Sequence, residues 1–158
     1  MADARFEDGA DAPLFLGAQD ADDLKVISAL CQDAVFPITE MTYAKSRREF
    51  ALLLNRFRWE DRDAADRAGR GYERVRAVLL LRDVQSVRSQ GIDRGDKDTI
   101  LSLLSIGFVP GADGTGEVIL TLAGDGVIAL GVETLDATLR DVTRPYLAPS
   151  HKVPDHGI

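Results

Sequence analysis

Apolar and polar positions change their period along the chain. After Asp20, the residues Leu24, Ile27, Cys31 and Ala34 recur at helical spacing, with Leu30 widening the stripe. Asp20 reads as an N-cap, and Asp23, three positions on, as its capping-box partner. Asp22 and Asp23 also suit the positive end of the helix dipole. Phe36 precedes Pro37 and is pushed out of the α region, so the helix is predicted to stop near Val35.

Beyond Pro37 the pattern alternates. Ile38–Ala44 predicts a strand with Thr39, Met41 and Tyr43 on one face, and Lys45–Arg48 a charged turn. In the next strand Phe50, Leu52 and Leu54 alternate with Ala51, Leu53 and Asn55. Phe57 and Trp59 then fall on the opposite parity, and a bulge near Asn55 is predicted to absorb the flip. Glu60–Gly71 has no strand period and reads as a flexible loop. Strands follow around Val75–Leu81, Val84–Ser89 and Ile100–Phe108, the last with Ile100, Leu104, Ile106 and Phe108 on one parity. Val118–Ala123 and Val127–Val132 flank Gly124-Asp125-Gly126, a strong hairpin signal. A short strand is expected at Leu14–Gly17. Thr134–Val142 fits either a strand or a short C-terminal helix, and the helix is preferred.

These elements predict an α+β fold. Its body is a curled antiparallel β-sheet, a roll or split barrel of seven or eight strands, with one N-terminal helix. Strands rarely alternate with helices, which argues against a parallel doubly wound sheet. The expected organisation is a flexible acidic leader over 1–12, a single α+β domain over 13–147 and a disordered tail over 148–158.

Composition narrows the class. A chain of 158 residues buries roughly 70% of its extended surface on folding. A net charge of −7 argues against a general polyanion binder, though not against a local basic face. Cys31 is alone and forms no internal disulfide, which fits a reducing cytoplasm. The start lacks the basic and apolar regions of a signal peptide, and no apolar run approaches the ~18 residues of a membrane span. His151 and His156 both lie in the tail, away from any expected site.

Motifs for chemistry are missing. There is no GxxxxGK[ST], GxGxxG before a helix, GxSxG, HExxH or CxxC. Asp93, Asp96 and Asp98 resemble the start of a calcium loop, but the mid-loop glycine and distal glutamate are absent, so a solvated loop is expected. No catalytic residue, cofactor or metal is assigned. Cys31 reads as a small buried hydrophobe.

Charge is the uneven feature. Residues 1–44 carry nine acids and two bases, residues 45–97 nine acids and fourteen bases, and residues 98–158 eight acids and three bases. If the strands bearing Arg56 and Arg58 pair with those bearing Arg74 and Arg76, four guanidiniums could share one face. Internal or intersubunit pairing with carboxylates is the leading reading of these arginines, and an RNA platform the weaker one.

Three blocks carry a resemblance: Gln32-Asp33-Ala34-Val35, Leu53-Leu54-Asn55-Arg56-Phe57-Arg58-Trp59-Glu60 and Ser89-Gln90-Gly91-Ile92-Asp93-Arg94-Gly95-Asp96. In this order they resemble the domain-of-unknown-function family numbered 2948, over about Leu14 to Pro145. The resemblance implies a small cytosolic protein typical of alphaproteobacteria, with no assigned activity to carry over. Read physically, Asn55 could cap the bulge, Asp33 could pair with Arg56 or Arg58, and Gly91 and Gly95 could need positive φ. Asp33, Asn55, Arg56, Arg58, Trp59, Asp93 and Arg94 are therefore the candidate interaction residues. The expected function is a non-catalytic binding or adaptor module acting through a protein partner. The alternatives are a small-metabolite enzyme using carboxylates and arginine, and an RNA-binding module using 45–97. A homodimer through an exposed sheet edge also stays open.

Overall fold

Alternating side chains require a covered face, and the chain meets that need with an eleven-stranded antiparallel sheet whose inward positions join one apolar core. In the computed structural model the described residues are 12–148 and 153–154. Most of the acidic leader and of the tail, with both histidines, lies outside them.

The described strands are β1 (Phe15–Ala18), β2 (Val35–Pro37), β3 (Met41–Ala44), β4 (Glu49–Phe57), β5 (Glu73–Leu81), β6 (Val84–Gln90), β7 (Ile100–Pro110), β8 (Gly116–Leu122), β9 (Val127–Val132), β10 (Ala137–Asp141) and β11 (Tyr146–Leu147). Two α-helices, α1 (Ala21–Leu30) and α2 (Arg62–Ala68), accompany them. The sheet runs β1-β10-β5-β4-β2-β7-β8-β9-β6, with β3 on β4 and β11 on β5. It is antiparallel throughout and not closed. The count is eleven rather than seven or eight. The additional strands are β2, β10 and β11. β2 and β11 are too short to show a period, and β10 lies where a helix was expected.

Over Thr134–Val142 the ambiguity resolves to strand. Ala137, Leu139 and Asp141 are buried and Thr138 and Arg140 face outward, because β10 is gripped between β1 and β5. The reverse holds for Glu60–Gly71, which is not a loop but a 3-10 turn at Trp59–Asp61 followed by α2. Gly69, in the left-handed region at φ 65, ends that helix. Over Ile38–Ala44 only the last four residues are strand, and Ile38–Glu40 form a 3-10 turn.

Helix α1 starts as its sequence dictates, with the Asp20 carboxylate accepting the Asp23 N–H at 2.8 Å. It stops one turn early. Asp33 takes φ 62, its N–H donates to the Leu103 carbonyl at 2.7 Å, and the chain leaves the helix to pair with β7. Leu24, Ile27, Cys31 and Ala34 are nevertheless all buried, packed with Phe36, Leu52, Leu79, Leu103 and Leu130 in the core.

No bulge interrupts β4 at Asn55, whose pairing with β5 is continuous from Phe50 to Phe57. Parity flips there because both faces of the strand's end are covered. Register shifts occur elsewhere, at Val84/Ser86 and Leu103/Ser105. The second makes Leu104 an extra residue, so Leu103 rather than Leu104 shares the core side with Ile106. The hairpin between β8 and β9 forms as predicted, with Gly124 and Asp125 both at positive φ.

Candidate functional site

The candidate residues separate into a buried charge cluster, an outer sheet face and the loop after β6. Arg56 is at the core of the first. It lies opposite Val75 on the core side of the sheet and is 0% exposed. A guanidinium carries five N–H donors, and burial is least costly when all are used. Here Nε donates to Asp141 Oδ1 at 3.1 Å, Nη2 to Asp141 Oδ2 at 3.0 Å and Glu60 Oε2 at 2.8 Å, and Nη1 to Glu60 Oε1 at 2.9 Å and the Phe57 carbonyl at 3.5 Å. Asp141 Oδ2 also accepts the Leu14 N–H at 3.0 Å, which ties β1 into the cluster.

The neighbouring residues extend it. Arg58 donates to Glu73 through a short contact, and Arg70 binds Asp61 through both oxygens at 2.7 Å. The Trp59 indole N–H donates to the Gln32 carbonyl at 2.9 Å, and its ring meets Phe57 edge-on at 4.7 Å. Two of the three resemblance blocks therefore meet here, through Gln32 and Trp59.

Electrostatics follow from this packing. Burial disfavours the charge on Glu60, but hydrogen bonds and charge from Arg56 outweigh it and lower its pKa. The Arg70 hydrogen bond lowers that of Asp61 against a smaller effect of burial, with Arg58 assisting. Burial also opposes the Arg56 cation, and Glu60 and Asp141 overcome it and hold the proton. Cys31, buried nearby, has its thiol pushed up to about 12 by burial. Ions this well matched are a stitch between β1, β4, β10 and the Trp59–Asp61 turn. A general acid or base needs a pKa moved toward neutrality, and Glu60 and Asp61 move away from it.

The four-arginine face does not form. Arg56 points inward, Arg58 is beyond the strand and buried, and Arg74 and Arg76 face outward. A sequence cannot reveal this, because parity does not say which face is covered. Asn55 caps no bulge. Its side chain accepts Arg74 Nε at 2.6 Å and donates to the Tyr146 hydroxyl at 2.5 Å. The carboxylates bonded to Arg56 are Glu60 and Asp141 rather than Asp33.

The outer face is built by register. Directly opposed residues in an antiparallel sheet share a face. One row across β1, β10, β5 and β4 is therefore Phe15, Arg140, Val78 and Leu53, and the next is Gly17, Thr138, Leu80 and Ala51. Arg76 sits beside Asn55 in a third row. Phe15 is 66% exposed. Arg76 and Arg140 have no carboxylate within ion-pair distance among the described residues. A hollow on this face is lined by Phe15, Val78, Leu80, Arg82, Thr138 and Arg140. Sequence reasoning missed Phe15, Val78, Leu80 and Arg140, although alternation in β5 made Val78 and Leu80 a shared outer parity.

In the loop after β6, Gly91 takes φ 74 as expected, while Gly95 is not in the left-handed region. The Asp93 carboxylate accepts the Gly95 N–H and the Asp96 carboxylate the Asp98 N–H, both ordinary loop contacts. Among the described residues no group of three or more His, Cys, Asp or Glu is placed to hold a metal ion.

Residues 14–156 match the sequence model of a family described as protein of unknown function (DUF2948). The chain belongs to the DUF2948 family. No curated protein and no solved structure matches it. The match runs through the charge cluster and the outer face alike, and the family description assigns no activity to either.

Proposed function

We propose that this DUF2948 protein is a non-catalytic binding module that docks a protein partner on the outer face of β1, β10, β5 and β4. One observation carries the reading: two cross-strand rows place Phe15, Leu53, Val78 and Leu80 side by side, with Arg76 and Arg140 beside them and in no ion pair among the described residues. Apolar and aromatic anchors next to arginine are what buried interface centres use. The cations ask for a partner segment that is apolar and acidic. The internal use of Arg56, Glu60, Asp61 and Asp141 supports a binding role over acid–base chemistry. It also withdraws Arg56 and Arg58 from any phosphate-binding surface. Among the described residues no helix is long and apolar enough to cross a membrane. The reading places the module in the cytoplasm, where the lone Cys31 stays reduced.

The test is photocrosslinking in the native host. A benzoylphenylalanine at Phe15 and one at Leu80 should capture the same protein, and one at Val26 on α1 should not. Arg76→Glu with Arg140→Glu should reduce that adduct at least about tenfold, the effect of ~1.4 kcal/mol. No shared adduct, or one indifferent to the charge reversal, would sink the reading.

A further inference from the structure

The sheet's path nearly returns on itself. β4 pairs with β3, and from β4 the order continues through β2, β7, β8 and β9 to β6. Among the described residues β6 is paired only with β9 and β3 only with β4, so each strand has one edge without a ladder there. These two strands adjoin. The Val84 N–H donates to the Arg48 carbonyl at 2.8 Å, and the Tyr43 hydroxyl donates to the Val84 carbonyl at 2.8 Å. Paired strands lie ~4.8 Å apart and bond through their backbones. Here the connection from β3 needs a whole tyrosine side chain.

Past that connection the seam holds a cleft of about 400 Å³, the open solvent at its mouth included. Phe50 and Ile128, both core residues, reach it; Met41 and Tyr43 line it from β3, and Val87 from β6. Arg94 is the cation in its wall. Arg94 has no carboxylate within ion-pair distance among the described residues, although Asp93 and Asp96 are close in sequence. Those two carboxylates are engaged by backbone N–H groups of their own loop.

We infer that this seam receives an extended segment of a partner protein, which adds as a strand along the β6 edge over Ser86–Gln90. One apolar side chain of the segment enters the cleft, and an acidic side chain two positions along, on the same face of the strand, meets Arg94. A backbone is the occupant because the site offers backbone: a small apolar molecule would fill the cleft and leave the strand edges to water, whereas a strand satisfies both. Arg88, the one charged side chain on β6, is directed across β9 to Glu117 on β8, away from the free edge, and leaves the approach to that edge free of a competing charge. The site is separate from the outer face and does not depend on the reading made of it.

The probe is a library of random linear peptides displayed on phage and selected against the full chain. Selected peptides should carry an apolar residue and an acidic one two positions apart. Titrated into isotope-labelled protein, they should shift the amides of Ser86–Gln90, Ile92 and Arg94 and slow hydrogen exchange on β6 at least about tenfold. Arg94→Glu, at an exposed loop position, should weaken binding about tenfold. Val87→Lys, which puts a charge in the cleft, should abolish it, with folding checked by circular dichroism. Leu80→Glu on the outer face should leave it unchanged. Failure to select any peptide overturns the proposal, as does binding that shifts cleft side chains without protecting β6 amides. Selected peptides that map to the outer face, or that ignore Arg94→Glu, overturn it too.

Discussion

Arg56 shows what a single residue can do in an interior whose other large, fully buried side chains are Leu, Ile and Phe. Its cation is tolerated because Glu60, Asp141 and the Phe57 carbonyl use all five donors. Such a cluster adds little over a well-packed apolar substitute, but losing Arg56 leaves the buried Asp141 carboxylate without its cation. Arg56→Ala should therefore cost about 3–5 kcal/mol in urea denaturation. Arg88→Ala, which breaks the exposed pair with Glu117, should cost less than about 1 kcal/mol. Equal losses would refute the distinction between a buried stitch and a solvated pair.

At the scale of elements, the loop after β6 is held by contact with the β8–β9 turn. Gly91 takes φ 74, and a Cβ there would stand 2.8 Å from the Asp125 carbonyl oxygen. Backbone cannot give way as a side chain can, so Gly91→Ala should cost about 1–3 kcal/mol. Four positions on, Gly95 has an ordinary φ, and its nearest obstacle is the Asp93 carboxylate at 3.3 Å. Gly95→Ala should cost less than Gly91→Ala by thermal denaturation, and the reverse order would show that the loop is not anchored at that turn. The hairpin was legible because Gly124 and Asp125 suit the positive φ that the turn demands. β10 was not, because Leu135, Ala137 and Leu139 satisfy a strand and a helix alike until β1 and β5 supply edges on both sides.

Across the whole molecule, the charge cluster links stability to pH. Glu60 and Asp61 have pKa values lowered below their ordinary 4.5 and 3.8 by arginine partners. A carboxylate lowered on folding binds fewer protons in the native state than in the unfolded chain. Its contribution is therefore complete above the ordinary value and is lost as pH falls through the native one. Urea midpoints should hold between about pH 7 and 5 and fall steeply below about 4. Glu60→Gln should lower the plateau and flatten the acid limb. An acid limb unchanged in Glu60→Gln would show that other carboxylates govern acid unfolding.

Local chemistry by itself determined the start of α1 at Asp20, the alternating strands β4, β5, β8 and β9, the turn at Gly124–Asp125 and the burial of Cys31. Each depends on residues within a few positions of one another. Tertiary structure decided which parity faces inward, and with it the meaning of the candidate residues. Asp141, 85 positions from Arg56, turns that arginine from a surface candidate into part of the interior. Phe15 and Arg140 become neighbours of Val78 and Leu53 only through the β1–β10–β5–β4 register. Periodicity assigns side chains to one face or the other of a strand, and only the distant segments that pack against those faces decide which is core and which is free to bind.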